Sequence, residues 1–184
     1  YNFYKMKHSL TSLNPGVWKF LRMRPNNFPT IRISQFASLL CNREILFEGF
    51  SKNAGSRKWI DLLTVAASSF WDSHYTFDKV SPHQPKILGE QSAQLIVINA
   101  VIPFLYLNGA VRHQPEWKER ALSLLEEIPG ERSSIINTWE SMGMDVSNAM
   151  NTQALKQLKS DYCDGKRCLE CRIGSSVLKR GIIR

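Results

Sequence analysis

Three cysteines fall within nine residues near the end of the chain. Cys163, Cys168 and Cys171 are spaced C-x4-C-x2-C in YCDGKRCLECRIG. The Asp164-Gly165 pair predicts a turn that folds Cys163 back toward the C-x-x-C pair. Three thiolates held this way suit a soft metal such as Zn²⁺. Lys166, Arg167 and Arg172 would lower the thiol pKa values and offset the anionic cluster. Plant-type iron–sulfur ferredoxins use the same spacing but need a fourth cysteine downstream, and none follows Cys171. A fourth ligand would come from Cys41, a distant His or an exogenous group. The cofactor expected on this reading is Zn or an iron–sulfur cluster. Two other readings stand beside it, structural cysteines (reduced or disulfide-linked) and redox chemistry.

The second stretch with chemical potential is Trp18–Arg32. Lys19, Arg22, Arg24 and Arg32 alternate there with Trp18, Phe20 and Phe28. Guanidinium groups match phosphate oxygens, and exposed aromatics stack on bases, so the run is a candidate nucleic-acid contact. The plainer reading makes the aromatics core and the cations a solvated rim.

No stretch suggests a catalytic residue. There is no nucleophile–base pair, no phosphate-binding glycine loop and no paired-carboxylate site. His74 and His83 share a loop-like segment with Asp72 and Asp78, but at no known metal spacing. His8 and His113 read as surface residues.

The charge distribution supports the basic stretch. The net charge is +8. Residues 1–43 carry seven basic side chains and no acid; residues 44–155 carry nine basic and thirteen acidic ones; residues 156–184 carry eight and three. Basic ends on an acidic middle can mark a polyanion-binding surface. They can equally neutralise an acidic body or a domain upstream. Four cysteines, three of them clustered, do not make a secreted disulfide framework, and no signal peptide is seen. These features lead us to expect a cytoplasmic protein with no membrane partner. The chain opens at Tyr1 rather than Met, so 1–184 is read as a single helical domain forming the C-terminal part of a longer protein, with 162–184 a cysteine-containing basic tail.

The element that must position these groups is LIVINAVIPFLYL, Leu95–Leu107, within a helix predicted over 91–108. Apolar on every side, it belongs in a core; it is short of the roughly 20 residues that span a bilayer. Pro103 should kink it and free a carbonyl near Asn99. Around it the spacing predicts helices over 2–12, 31–42 (N-capped by Thr30), 43–50, 57–71, from Pro115 to Ile128, from Ile135 to Met142, and over 147–162. Ile33, Phe36, Ala37, Leu40 and Cys41 form the buried stripe of the second. Residues 72–89 read as loop. No strand of convincing length is predicted. The fold class is all-α, with seven or eight helices packed around the central one.

Three stretches together, WKFLRMRPNNFPTIRISQ (18–35), TWESMGMDVSNAMNTQALKQLKSDYC (138–163) and KRCLECRIG (166–174), resemble the C-terminal half of an uncharacterised bacterial family catalogued as a domain of unknown function. Its RP-x-NFP-x-x-RI pattern is met by Arg24, Pro25, Asn27, Phe28, Pro29, Arg32 and Ile33, and its members share the cysteine ending. The resemblance implies an upstream region similar to a PD-(D/E)XK nuclease, which would hold any catalytic carboxylates. It implies no established activity. The expected function is a helical accessory domain that assists nucleic-acid binding by a nuclease-like domain. The alternative is a structural or dimerising module with no nucleic-acid role.

Overall fold

The computed structural model describes residues 2–24, 27–41 and 54–181. The chain is mostly α-helical, as expected, with eight helices among the described residues. They are α1 (Asn2–Lys7), α2 (Pro29–Cys41), α3 (Ser56–Leu63), α4 (Glu90–Val111), α5 (Pro115–Glu127), α6 (Ser134–Ser141), α7 (Ala149–Gln157) and α8 (Arg172–Gly181). The helix expected over 43–50 lies outside the described residues. The segment read as loop holds a 3₁₀ turn (Ser69–Ser73) and a small antiparallel hairpin, β1 (His74–Thr76) with β2 (Lys79–Val80). The helix expected over 57–71 ends early: α3 stops at Leu63, and Ala66 pairs as an isolated bridge with Ile87 before the 3₁₀ turn.

The residues fall into two compact units. One takes Tyr1–Gly49 and Asp61–Glu90; the other takes Phe50–Ile60 and Gln91–Arg184.

In the first unit α2 starts at Pro29, where the missing N–H costs nothing. Thr30 does not cap it; its hydroxyl donates to the Tyr75 carbonyl at 2.7 Å. The helix is rolled relative to the expected stripe. Ile31 and Gln35 are buried, whereas Ile33, Phe36, Leu40 and Cys41 are exposed. What turns it is a polar clamp. Gln35 Nε2 donates to the Lys86 carbonyl at 3.0 Å, and its Oε1 accepts from Arg32 Nη1 at 3.0 Å. Arg32 Nη2 reaches Asn27 Oδ1 at 2.6 Å. Lys86 is itself buried, donating to the carbonyls of Asp72 (3.0 Å) and Gln84 (2.7 Å) with its ammonium 4.4 Å from the Tyr75 ring. Burying these polar groups is tolerable only because they are paired. Ile31, Ala67 and Trp71 form the small core beneath, with Phe28 and Tyr75 packed on it.

In the second unit α4 is one continuous helix with a π-helical turn at Val97–Val101. The turn has the expected cause. Pro103 offers no N–H to the Asn99 carbonyl, and the Asn99 side chain donates to the Leu95 carbonyl at 2.8 Å. Ala93, Val97, Ile98, Ile102, Leu105 and Gly109 form its buried stripe. α5 packs along α4 at Gly109, where an added Cβ would lie 2.8 Å from the Trp117 Cβ and 2.9 Å from the Gln114 carbonyl. Away from that stripe Leu95, Phe104, Tyr106, Leu107 and Val111 are exposed, with the Lys118 ammonium of α5 over the Tyr106 ring at 5.3 Å. This corrects the expectation of burial on every side. At 22 residues α4 is also long and apolar enough to cross a membrane by length and composition. Its neighbour α5 carries Glu116, Lys118, Glu119, Arg120, Glu126 and Glu127.

α5 and α7 are joined by a backbone clasp. Ala149 N donates to the Ile128 carbonyl (2.8 Å) and Gly130 N to the Ser147 carbonyl (3.1 Å). Ile128, Ala149 and Thr152 are fully buried against it. The side chains of Ser133 and Asn148 cap α6 and α7. Glu131 accepts from Lys156 at 2.8 Å and from Gln153. Residues 54–56 are tied to α5, where Arg120 donates to the Ala54 carbonyl and the Ser56 N–H donates to Glu127 at 2.7 Å.

A Cβ at Gly130 would lie 2.0 Å from the Val146 carbonyl oxygen. Gly130→Ala should therefore force the clasp apart and destabilise the chain by at least about 3 kcal/mol. Urea unfolding followed by circular dichroism checks it, and a midpoint equal to wild type would contradict the clasp.

Candidate functional site

The four cationic residues singled out in the sequence do not share one environment. Lys19, Arg22 and Arg24 lie on the connection between a 3₁₀ turn (Pro15–Val17) and α2, and all three are exposed. No carboxylate among the described residues pairs with any of them. Arg22 holds a left-handed backbone conformation, φ +59, which is uncommon for a residue with a Cβ. Arg32 is different. It is partly buried in the α2 clamp, with Asn27 and Gln35 taking up its guanidinium. Burial pulls its pKa below the usual guanidinium value, although arginine stays charged in proteins.

The interleaved aromatics divide in the same way. Phe20 meets Phe28 edge-on at 5.1 Å, and Phe28 meets Tyr75 at 6.3 Å, so both belong to the packing around α2. Trp18 remains 38% exposed, beside Lys19. Most of the NFP-x-x-RI pattern thus has a structural account: Asn27 and Arg32 are clamp members, Phe28 is packed and Pro29 starts the helix, whereas Ile33 is exposed.

The cysteine stretch folds as a turn, as Asp164-Gly165 led us to expect. Lys166 N donates to the Cys163 carbonyl at 3.1 Å, Arg167 N to the Tyr162 carbonyl at 2.8 Å, and the Arg167 guanidinium lies 5.5 Å from the Tyr162 ring. The thiols do not gather. Cys163 and Cys168 are exposed, Cys171 is buried, and no group of three His, Cys, Asp or Glu side chains among the described residues could hold a metal ion. Cys41 is exposed, against the expectation that its stripe position buries it. A glycine lets α8 lie close on the turn: a Cβ at Gly174 would lie 2.6 Å from the Cys168 carbonyl oxygen. Beside the hairpin, His83 Nε2 is 3.8 Å from Asp72 Oδ2, and His74 of β1 stacks on Phe70 at 4.2 Å.

One group escaped the sequence reading. Arg172, Ser175, Ser176, Lys179 and Arg180 line a groove of about 500 Å³ with Leu169, Glu170 and Cys171. The i, i+3, i+4, i+7, i+8 spacing of those five residues was the available signal.

No curated protein matches the chain. No solved structure matches it. One family model does, over residues 1–134. The match takes in the NFP-x-x-RI pattern, α2, the hairpin, α4 and α5, and ends before the three clustered cysteines. Since it covers more than half of the chain, the chain belongs to the family described as protein of unknown function (DUF2851).

Proposed function

We propose that the chain is a helical accessory module that holds nucleic acid by its phosphates, in the service of a nuclease-like domain of the kind the sequence resemblance implies. The observation that carries the reading is the state of Lys19, Arg22 and Arg24, three exposed cations in an acid-free stretch with no carboxylate partner among the described residues. Trp18 beside them offers a ring for stacking. Arg32 supports the loop through Asn27 and is assigned to positioning.

Phosphate contacts release counterions, so log affinity should fall linearly with log salt at about 0.7–0.9 per contact. Fluorescence anisotropy with labelled single strands and duplexes of DNA and RNA reads this slope. Replacing Lys19, Arg22 and Arg24 together by Ala should lower it by about 2–3. No binding of any polynucleotide by the intact chain at about 50 mM salt, where such contacts are strong, would end the proposal.

A second reading, a dimerising module, is favoured by the exposed apolar side chains along α4, Leu95, Leu107 and Val111 among them. No charged residue occurs between Glu90 and Arg112, so two copies could meet there without like-charge cost. Phe104→Glu with Leu107→Glu should then convert a dimer to a monomer in light scattering coupled to gel filtration. A wild-type chain monomeric at about 100 μM, far above the dissociation constants of stable interfaces, would remove this reading.

A further inference from the structure

We infer that the groove on α8 is a second phosphate-binding site, one that takes the sugar–phosphate backbone of a polynucleotide; this rests on the reading above. Arg172, Ser175, Ser176, Lys179 and Arg180 share one helical face and line the groove. Arg172 and Arg180 stand about 12 Å apart along the axis, long against the ~3.4 Å rise per nucleotide of a duplex strand. One rigid helix therefore offers charge to more than one phosphate. Arginine, lysine and serine hydroxyls are the side chains that commonly contact phosphate oxygens.

The charge balance fits an anion. No carboxylate among the described residues pairs with Arg172, Lys179 or Arg180. The one acid on the rim, Glu170, is matched by Arg167, whose Nε lies 3.1 Å away and whose Nη2 also donates to it. That hydrogen bond, with the charge of Arg167, holds the Glu170 carboxyl below its usual range. The rotation of the helix is set independently of any ligand. Gly174 must face the Cys168 backbone, because no other residue fits there. This puts the cationic face roughly opposite the contact and open to solvent. Ile173 and Val177 lie outside the groove and Leu169 is the large apolar side chain on its rim, so a ligand along the helix face meets mainly cations and hydroxyls.

The test uses the intact chain and the anisotropy assay with salt titration. Arg172→Ala, Lys179→Ala and Arg180→Ala together should lower the salt slope by about 2–3, additively with the loss from Lys19, Arg22 and Arg24. Arg172→Lys with Arg180→Lys, which keeps the charge, should retain the wild-type slope. Ser176→Glu, which adds an acid to the groove without removing a cation, should weaken binding at least tenfold at about 50 mM salt. Wild-type binding with the slope unchanged in the triple alanine variant would overturn the α8 site and leave the N-terminal reading standing. A slope lowered only by the α8 substitutions would keep this site and remove Lys19, Arg22 and Arg24. No polynucleotide binding by wild type would sink both. Tail-dependent capture by phosphatidylglycerol vesicles, with the polynucleotide slope unchanged, would overturn the site as a nucleic-acid contact.

Discussion

The second unit depends on how closely two backbones meet at Gly130. With the Val146 carbonyl 2.0 Å from where a Cβ would stand, only glycine permits the approach. That approach lets Ile128 and Ala149 exchange a backbone hydrogen bond, and it brings the ends of α5 and α7 together over Thr152. Thr152 then closes the joint. Its hydroxyl accepts from Glu131 N at 3.3 Å and donates back to a carbonyl of its own helix. Because α4 packs on α5 through a second close approach at Gly109, the order of the unit runs from clasp to α5 to α4. A third such contact, Gly174 on Cys168, orients α8. Glycines at contacts, together with the apolar core, set which faces this unit presents.

The first unit depends on hydrogen bonds in the same sense. Its apolar core is small, and the roll of α2 is set by Gln35 reaching the Lys86 carbonyl. Arg32 and Asn27 extend this clamp toward the loop that carries Lys19, Arg22 and Arg24. A mechanical and a chemical role are thereby separated along one stretch of sequence. Arg32 is engaged in holding the loop's end, and the three cations before it stay free of described carboxylates. Such a division suits a surface that must present charge in a defined place without neutralising it.

Much of the fold was legible in the sequence. The all-α class, the position of α4, its Pro103 irregularity and the start of α5 at Pro115 followed from periodicity and proline chemistry. The faces were less legible. The apolar run in α4 could not show that only one stripe would find partners, since a run apolar on all sides has no direction. The Ile33–Cys41 stripe misled because polar Gln35 carries the buried contact, and periodicity counts only apolar residues. For the candidate site, the basic stretch was visible but the separate position of Arg32 was not. It arises from hydrogen bonds to Asn27 and Gln35 that spacing alone does not specify. The cysteine spacing suggested a gathered cluster, but close sequence positions do not fix side-chain directions at a helix end. The α8 groove was readable as a helical pattern of cations and hydroxyls.

The central claim is that the cationic loop touches phosphate, and amine-reactivity footprinting by mass spectrometry addresses it most directly. Lys19 should acetylate quickly in the free chain and slowly at saturating polynucleotide, with the protection lost at high salt. Lys86, buried and bonded to two carbonyls, should stay slow throughout and serves as the internal reference. Lys19 reactivity unchanged at saturation would contradict the account.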